Sequence, residues 1–177
     1  PGRLPSLLRR LHDLRVLEQF IPAMQHARCL MQFNDYHKYT VDEHCLRAVA
    51  CAAGFLDDPR PIGGIYRDLR NKRLLHLALL IHDLGKGYED DHSEVGQQIA
   101  VDTARRLDLS EQEADTLRLL VGRHLLMNHM AFREDMRDVS VVMRLARETG
   151  SPDVLQMLYL HSCADLAAVG PDVLNDW

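Results

Sequence analysis

Apolar side chains in this chain recur every three to four residues over most of its length, the spacing of helices that bury one face. No stretch of convincing length alternates apolar and polar residues as a strand does. From Leu4 to Phe20 the positions Leu7, Leu8, Leu11, Leu14 and Leu17 fall among Arg9, Arg10 and Arg15. This predicts a one-sided surface helix whose charges form a solvated face. Thr40-Val41-Asp42-Glu43 has the form of a capping box, so a helix is expected from Val41 towards Leu56, where Asp57-Asp58-Pro59 stops it. The segment 59–70 holds Pro59, Pro61 and the pair Gly63-Gly64, and reads as a long connection with room for one turn of helix.

The most apolar run comes next. A helix over Asn71 to Leu84 is apolar on nearly every side and is expected to be central, with Gly85 in the position of a left-handed cap. A polar loop, Lys86 to Asp91, leads to a helix over His92 to Leu107. Ser110 with Glu113 forms a second capping box and opens a helix running towards His124. Two more helices are predicted, Asp138 to Thr149 closed by Gly150, and Pro152 to Val169 with proline in its favoured first position. The fold class is all-α, without internal repeats or low-complexity tracts.

Composition narrows this picture. A chain of 177 residues supports one core, and 46% apolar with 27% charged residues is ordinary globular usage. The net charge of -5 argues against a general nucleic-acid binder, which needs a basic excess. Four scattered cysteines with no CxxC pair give neither a zinc knuckle nor a disulfide framework, and fit reduced thiols in a cytoplasmic protein. Charges interrupt even the run around Leu74 to Ile81, so no transmembrane helix is expected, and no signal peptide is recognisable. The opening Pro1-Gly2-Arg3, without methionine, is what a piece cut from a longer chain would show.

The candidate chemistry lies in polar residues placed on apolar faces. His44 shares a stripe with Val41, Cys45, Ala48, Val49 and Ala52. His124 continues the stripe Leu117, Leu120, Val121, and His92 shares a face with Val95, Gly96 and Ile99. Asp165 is the one acid inside the last long helix, with His161 one turn earlier on the same side, and His82-Asp83 ends the central run. A single inward histidine is more often a packed core residue than a ligand. Five helices each aiming such a residue at a core are different, because converging them on one or two divalent cations neutralises more groups than separate local bonds would. Asp83, with two oxygens, suits a bridge between two metals, an arrangement that stabilises the attacking and leaving oxygens of a phosphoryl centre. Lys86 beyond it is placed to hold a phosphate oxygen or protonate a leaving group; otherwise it is a solvated loop lysine.

His44, His82-Asp83 and Asp165, in this order on helices, resemble the H…HD…D signature of the HD superfamily of metal-dependent phosphohydrolases. Four longer stretches are more specific: YHKYTVDEH (Tyr36 to His44), LLIHDLGKGYEDDHSEVG (Leu79 to Gly96), RHLLMNHMAFRED (Arg123 to Asp135) and CADLAAVGPDVLNDW (Cys163 to Trp177). Together, from Phe20 onward, they resemble the HD domain of bacterial bifunctional uridylyltransferase/uridylyl-removing enzymes. The resemblance implies a single HD-type bundle over 1–177 of roughly seven to nine helices, with 1–20 as a leading connector helix.

The resemblance further implies hydrolysis of a phosphodiester on a uridylylated tyrosine of the PII signal protein, with UMP as product, in nitrogen regulation. The implied cofactor is one or two divalent cations, manganese or magnesium first, with iron, zinc or cobalt as alternatives. His44, His82, Asp83 and Asp165 match ligands of a first metal, and His92 and His124 those of a second. Asp83 and Lys86 are expected to act in catalysis, and Lys86, Arg123 and His37 to bind substrate. An N-terminal nucleotidyltransferase domain and C-terminal ACT domains, which the family carries, do not appear in this sequence. His161 departs from the small or aliphatic residue expected there, and Asn128 replaces a commonly seen serine. Three alternatives stand beside this reading: an HD phosphohydrolase of a free nucleotide or nucleotide second messenger, a metal-stabilised regulatory module without turnover, and a metal-free bundle.

Overall fold

The computed structural model describes residues 2–31 and 38–170, in which every regular element is a helix. In chain order these are α1 (Leu4–Asp13), α2 (Leu17–Phe20), α3 (Ala23–Ala27), α4 (Val41–Gly54), a 3-10 turn over Phe55–Asp57, and α5 (Pro61–Asp68). They continue as α6 (Lys72–Ile81), α7 (His92–Arg106), α8 (Glu111–Gly122), α9 (Leu126–Arg133), α10 (Val139–Thr149) and α11 (Pro152–Val169). The class is all-α as predicted. Eleven α-helices occur among the described residues, more than the seven to nine expected, because short helices are set by packing and leave little periodic signal.

The central run behaves as its composition requires. Helix α6 packs against α4, α7, α8 and α11, and Leu75, Ala78, Leu79 and Ile81 are fully buried. Asn71 caps it by accepting from the Leu74 N–H at 3.2 Å. Around this axis, α4 lies along α11 and α7 along α8, so buried faces of α4, α8 and α11 surround the end of α6. A smaller cluster of Met130, Val141 and Leu145 joins α9 and α10 outside the main core. No helix among the described residues is long and apolar enough to cross a membrane.

Several local expectations are corrected. The helix expected over Leu4 to Phe20 breaks at Arg15, which adopts φ 58° and turns the chain so that Leu17 and Ile21 enter the core. Thr40 makes no side-chain cap; its hydroxyl goes to Asp42, and Glu43 goes to Arg9 instead of back to Thr40. Segment 59–70 is mostly helical: Pro61 starts α5, and Gly63 sits where a Cβ would lie 2.0 Å from the Asp58 carbonyl oxygen. Helix α6 ends at Ile81, so His82 and Asp83 occupy the turn beyond it. Gly85 is not in a left-handed conformation; the positive φ of that loop, 83°, falls on Gly87. Glycine is needed at Gly85 because a Cβ there would stand 2.1 Å from the His92 carbonyl oxygen and 2.8 Å from the Gly96 nitrogen. That close approach presses the His82–Asp83 turn against the start of α7.

Candidate metal centre

The site grows out of two helix ends. The last carbonyls of a helix lack intrahelical donors, and here two histidines supply them: His82 Nδ1 donates to the Leu79 carbonyl at 2.8 Å, and His124 Nδ1 to the Val121 carbonyl at 2.7 Å. Each bond spans three residues at the end of α6 or α8, and each fixes its ring so that Nε2 faces the interior. With Nδ1 as donor, the neutral ring presents a lone pair at Nε2. The Ser162 hydroxyl adds a long bond of 3.4 Å to the His124 carbonyl.

Those two lone pairs point at acids. His82 Nε2 lies 3.5 Å from Asp83 Oδ2 and 3.4 Å from Asp165 Oδ1, with no hydrogen-bond partner among the described residues. His124 Nε2 lies 3.7 Å from Asp83 Oδ1. His44, from α4, brings Nε2 to 2.8 Å from Asp165 Oδ1 and 3.7 Å from Asp83 Oδ2. Lys86 Nζ donates to Asp83 Oδ2 at 2.6 Å. His44, His82, Asp83, His124 and Asp165 are all buried.

Lone pairs set against carboxylates repel unless a cation lies between them. The ligand atoms of His44, His82 and Asp165 all lie within 4.8 Å of one another. A cation bonded at about 2.1 Å wants neighbouring donors roughly 3.0–3.4 Å apart, close to the separations found. Imidazole and carboxylate together suit a borderline divalent metal. The donor set therefore fits the group the sequence implies, with His44, His82, Asp83 and Asp165 able to hold one ion and Asp83 and His124 on the side of a second.

The electrostatics agree. Burial opposes charge on His82, but Asp83, Cys45 and Asp165 outweigh it and hold the imidazole well above its usual pKa: something positive is favoured at Nε2. Burial also opposes charge on Asp83, yet His82 and Lys86 keep its carboxyl well below the usual range, and His82 and His44 do the same for Asp165. His124 is pushed down to about 4 by burial and by His82, which keeps it a neutral donor at neutral pH.

The remaining predicted residues are spread out. His92, the first residue of α7, is half-buried with its ring 5.8 Å from that of His124, at the edge of the cluster. Arg123 is exposed and turned towards Glu148 at 3.5 Å, along a cleft of about 310 Å³ shared with Gln97, Arg118 and Gly122. His37 lies outside the described residues. Of the other histidines, His26 and His129 are exposed and His76 is half-buried. His12 is buried against Asp42. The orienting carbonyls of Leu79 and Val121 had no signal in the sequence, since the bond depends on a side-chain rotamer at a helix end. His161 is wholly buried, and its ring lies 5.2 Å from that of His82.

Comparison with known proteins gives the chain its relatives. Over 181 residues the chain is 40% identical to the bifunctional uridylyltransferase/uridylyl-removing enzyme of Cereibacter sphaeroides, covering 99% of this chain and 20% of that one. The enzymes of the same name from Zymomonas mobilis and Ruegeria pomeroyi are each 38% identical, over 182 and 181 residues, covering 100% and 99% of this chain and 20% of theirs. The chain thus spans about a fifth of the length of the curated relatives it matches. Residues 41–161 match the family described as the HD domain, a span that takes in α4, the His82–Asp83 turn and His124 and stops just short of Asp165. The chain belongs to the HD domain family.

Proposed function

We propose that this domain is a metal-dependent phosphodiester hydrolase that removes UMP from the uridylylated PII signal protein. The observation that carries the hydrolase reading is the convergence of His44, His82 and Asp165, whose ligand atoms lie within 4.8 Å of one another, with the buried Asp83 carboxylate set against the same imidazoles. The substrate follows from relatives named for uridylyl removal. Nitrogen regulation, a cytoplasmic setting, and nucleotidyltransferase and ACT domains elsewhere in a parent chain belong to the same proposal.

His44, His82, Asp83 and Asp165 would hold the first divalent cation, and Asp83, His124 and His92 would hold a second. When bound, such cations polarise a phosphoryl oxygen and lower the pKa of water near them, which is the chemistry a phosphodiester needs at neutral pH. The protein's own groups do the rest. Asp83 stays ionised because His82 and Lys86 hold its carboxyl down, and it turns one oxygen to His82 and the other to His124. Lys86, half-buried, holds its ammonium on Asp83 and is assigned to neutralise a phosphoryl oxygen. His37 and Arg123 are assigned to substrate contact, Arg123 once it leaves Glu148.

The test is release of UMP. Purified protein stripped of metal is mixed with uridylylated PII or with free nucleotides, and manganese or magnesium is added back. UMP from uridylylated PII alone is expected. Turnover of free nucleotides instead would redirect the assignment to a nucleotide phosphohydrolase, and no divalent binding at all would end the hydrolase reading.

A further inference from the structure

His161 is the buried polar group for which the site just described has no use. It lies on α11 one turn before Asp165, is fully buried, and neither ring nitrogen has a hydrogen-bond partner among the described residues. A neutral imidazole carries one N–H and one lone pair, and leaving both unmet in an interior is costly, whereas an aliphatic side chain of similar size would cost nothing of the kind. Its neighbours are the ligand-type rings: His82 at 5.2 Å with planes 86° apart, and His124 at 6.2 Å with planes 50° apart.

The spacing is informative. Two imidazoles bound to one ion through bonds of about 2.1 Å, at angles of about 90–110°, have ring centroids roughly 4.5–5.3 Å apart. The pair His44–His82 stands at 5.2 Å, His82–His124 at 5.3 Å and His82–His161 at 5.2 Å. His161 is thus as close to His82 as either assigned ligand is. His82 and His124 have already spent Nδ1 on helix carbonyls, while neither nitrogen of His161 is committed to a hydrogen bond among the described residues, so either can carry its one lone pair.

We infer that His161 is an additional imidazole donor of this centre, and that it turns the centre towards borderline transition metals and away from magnesium. This rests on the metal-dependent reading above. Each added nitrogen favours ions such as cobalt, zinc, iron or manganese, whereas magnesium prefers oxygen ligands and keeps its waters. Without His161 the first ion would be held by His44, His82 and two carboxylates, a set more evenly balanced between the two classes.

The test measures binding directly. Cobalt, manganese and magnesium are titrated into wild-type protein and His161→Leu by calorimetry, and the visible spectrum of the cobalt form is recorded. Expected are at least tenfold weaker cobalt and manganese binding in His161→Leu, magnesium binding within about twofold, an altered cobalt spectrum, and a metal-free melting temperature equal to or above wild type. Unchanged cobalt affinity and spectrum in the variant would overturn the inference. A wild-type protein that binds no divalent ion would overturn the metal-dependent reading itself. Should His161→Leu not fold, ring-nitrogen NMR of the wild-type protein decides: a His161 nitrogen that shifts on zinc addition supports direct ligation, and one that stays put refutes it.

Discussion

Asp42 and His44, two residues apart on α4 and so about 200° apart around it, each form a buried acid–imidazole pair with a different neighbour. Asp42 meets His12 of α1 at 3.1 Å, and His44 meets Asp165 of α11 at 2.8 Å. The first pair is a single acid and a single imidazole. Asp42 accepts from the Thr40 hydroxyl and from the backbone N–H groups of Cys29 and Glu43, and these with His12 outweigh its burial and keep its carboxyl below the usual range. The second pair is surrounded by more ligands, with His82, Asp83 and His124 all facing inward. A buried histidine–aspartate pair is therefore an ordinary packing device on one side of α4 and part of the candidate cation site on the other. What separates them is the company: one imidazole and one acid on the first side, three imidazoles and two acids on the second.

The largest expected effect tests the second pair's setting. Asp83→Asn keeps the shape of the turn but removes the charge shared by His82, His124 and Lys86. UMP release should fall about a thousandfold or more, some 4 kcal/mol in the barrier, with loss of the metal-dependent rise in melting temperature. Equal activity in Asp83→Asn would break the comparison at once.

Next in size is Gly85→Ala. Its Cβ would have to displace the His92 carbonyl from 2.1 Å, and both contacting atoms belong to the backbone. A loss of at least about 3 kcal/mol in denaturant unfolding is expected, without change in metal affinity per folded molecule beyond a few-fold.

His12→Ala probes the first pair. It leaves the Asp42 carboxylate buried with one partner fewer, and should cost about 1–3 kcal/mol of stability while metal binding stays within about threefold. If His12→Ala weakened metal binding as strongly as His44→Ala, the two sides of α4 would not be distinct.

The smallest effect comes from a third setting. His76 meets the Tyr66 hydroxyl at 2.9 Å instead of an acid, and burial, helped by Lys72, lowers its pKa to about 4. Between pH about 6.5 and 4 the unfolded chain then binds the extra proton, so this contribution to stability is complete above about 6.5 and is lost as pH falls towards 4. Allowing for its partial exposure, the loss should be about 1–2 kcal/mol. Comparing unfolding of wild type and His76→Gln at pH 7 and pH 4.5 measures it, and the variant should lose less stability over that interval.

Much of the framework could be read along the chain because it is local. The Ser110–Glu113 capping box forms as predicted. Gly150 closes α10 at φ 69° and Pro152 opens α11. The inward turn of His44 and His124 follows from the apolar stripes they share, and the burial of Asp83 from the run before it. The misreadings have a common origin in partners far away in sequence. Thr40 forgoes its cap because Asp42 and Arg9 compete for the groups involved. Gly85 is glycine because of His92 and Gly96 on the next helix. Helix α9, a short helix beside the satellite cluster of α10, had no periodic signal long enough to separate it from the end of α8.

Residue order alone settled the helical class, the Ser110, Gly150 and Pro152 boundaries and which polar residues sit on buried faces, since these depend on spacings of three or four positions and on side chains bonding their own backbone. Packing decided the chemistry. Only when α4, α6, α8 and α11 meet do His82 and His124 spend Nδ1 on helix-end carbonyls and turn Nε2 onto the two oxygens of Asp83. The same packing leaves His161 without a hydrogen bond beside them. The contacts across the site join groups as far apart in the chain as His44 and Asp165, 121 residues, and no local preference of the chain encodes them.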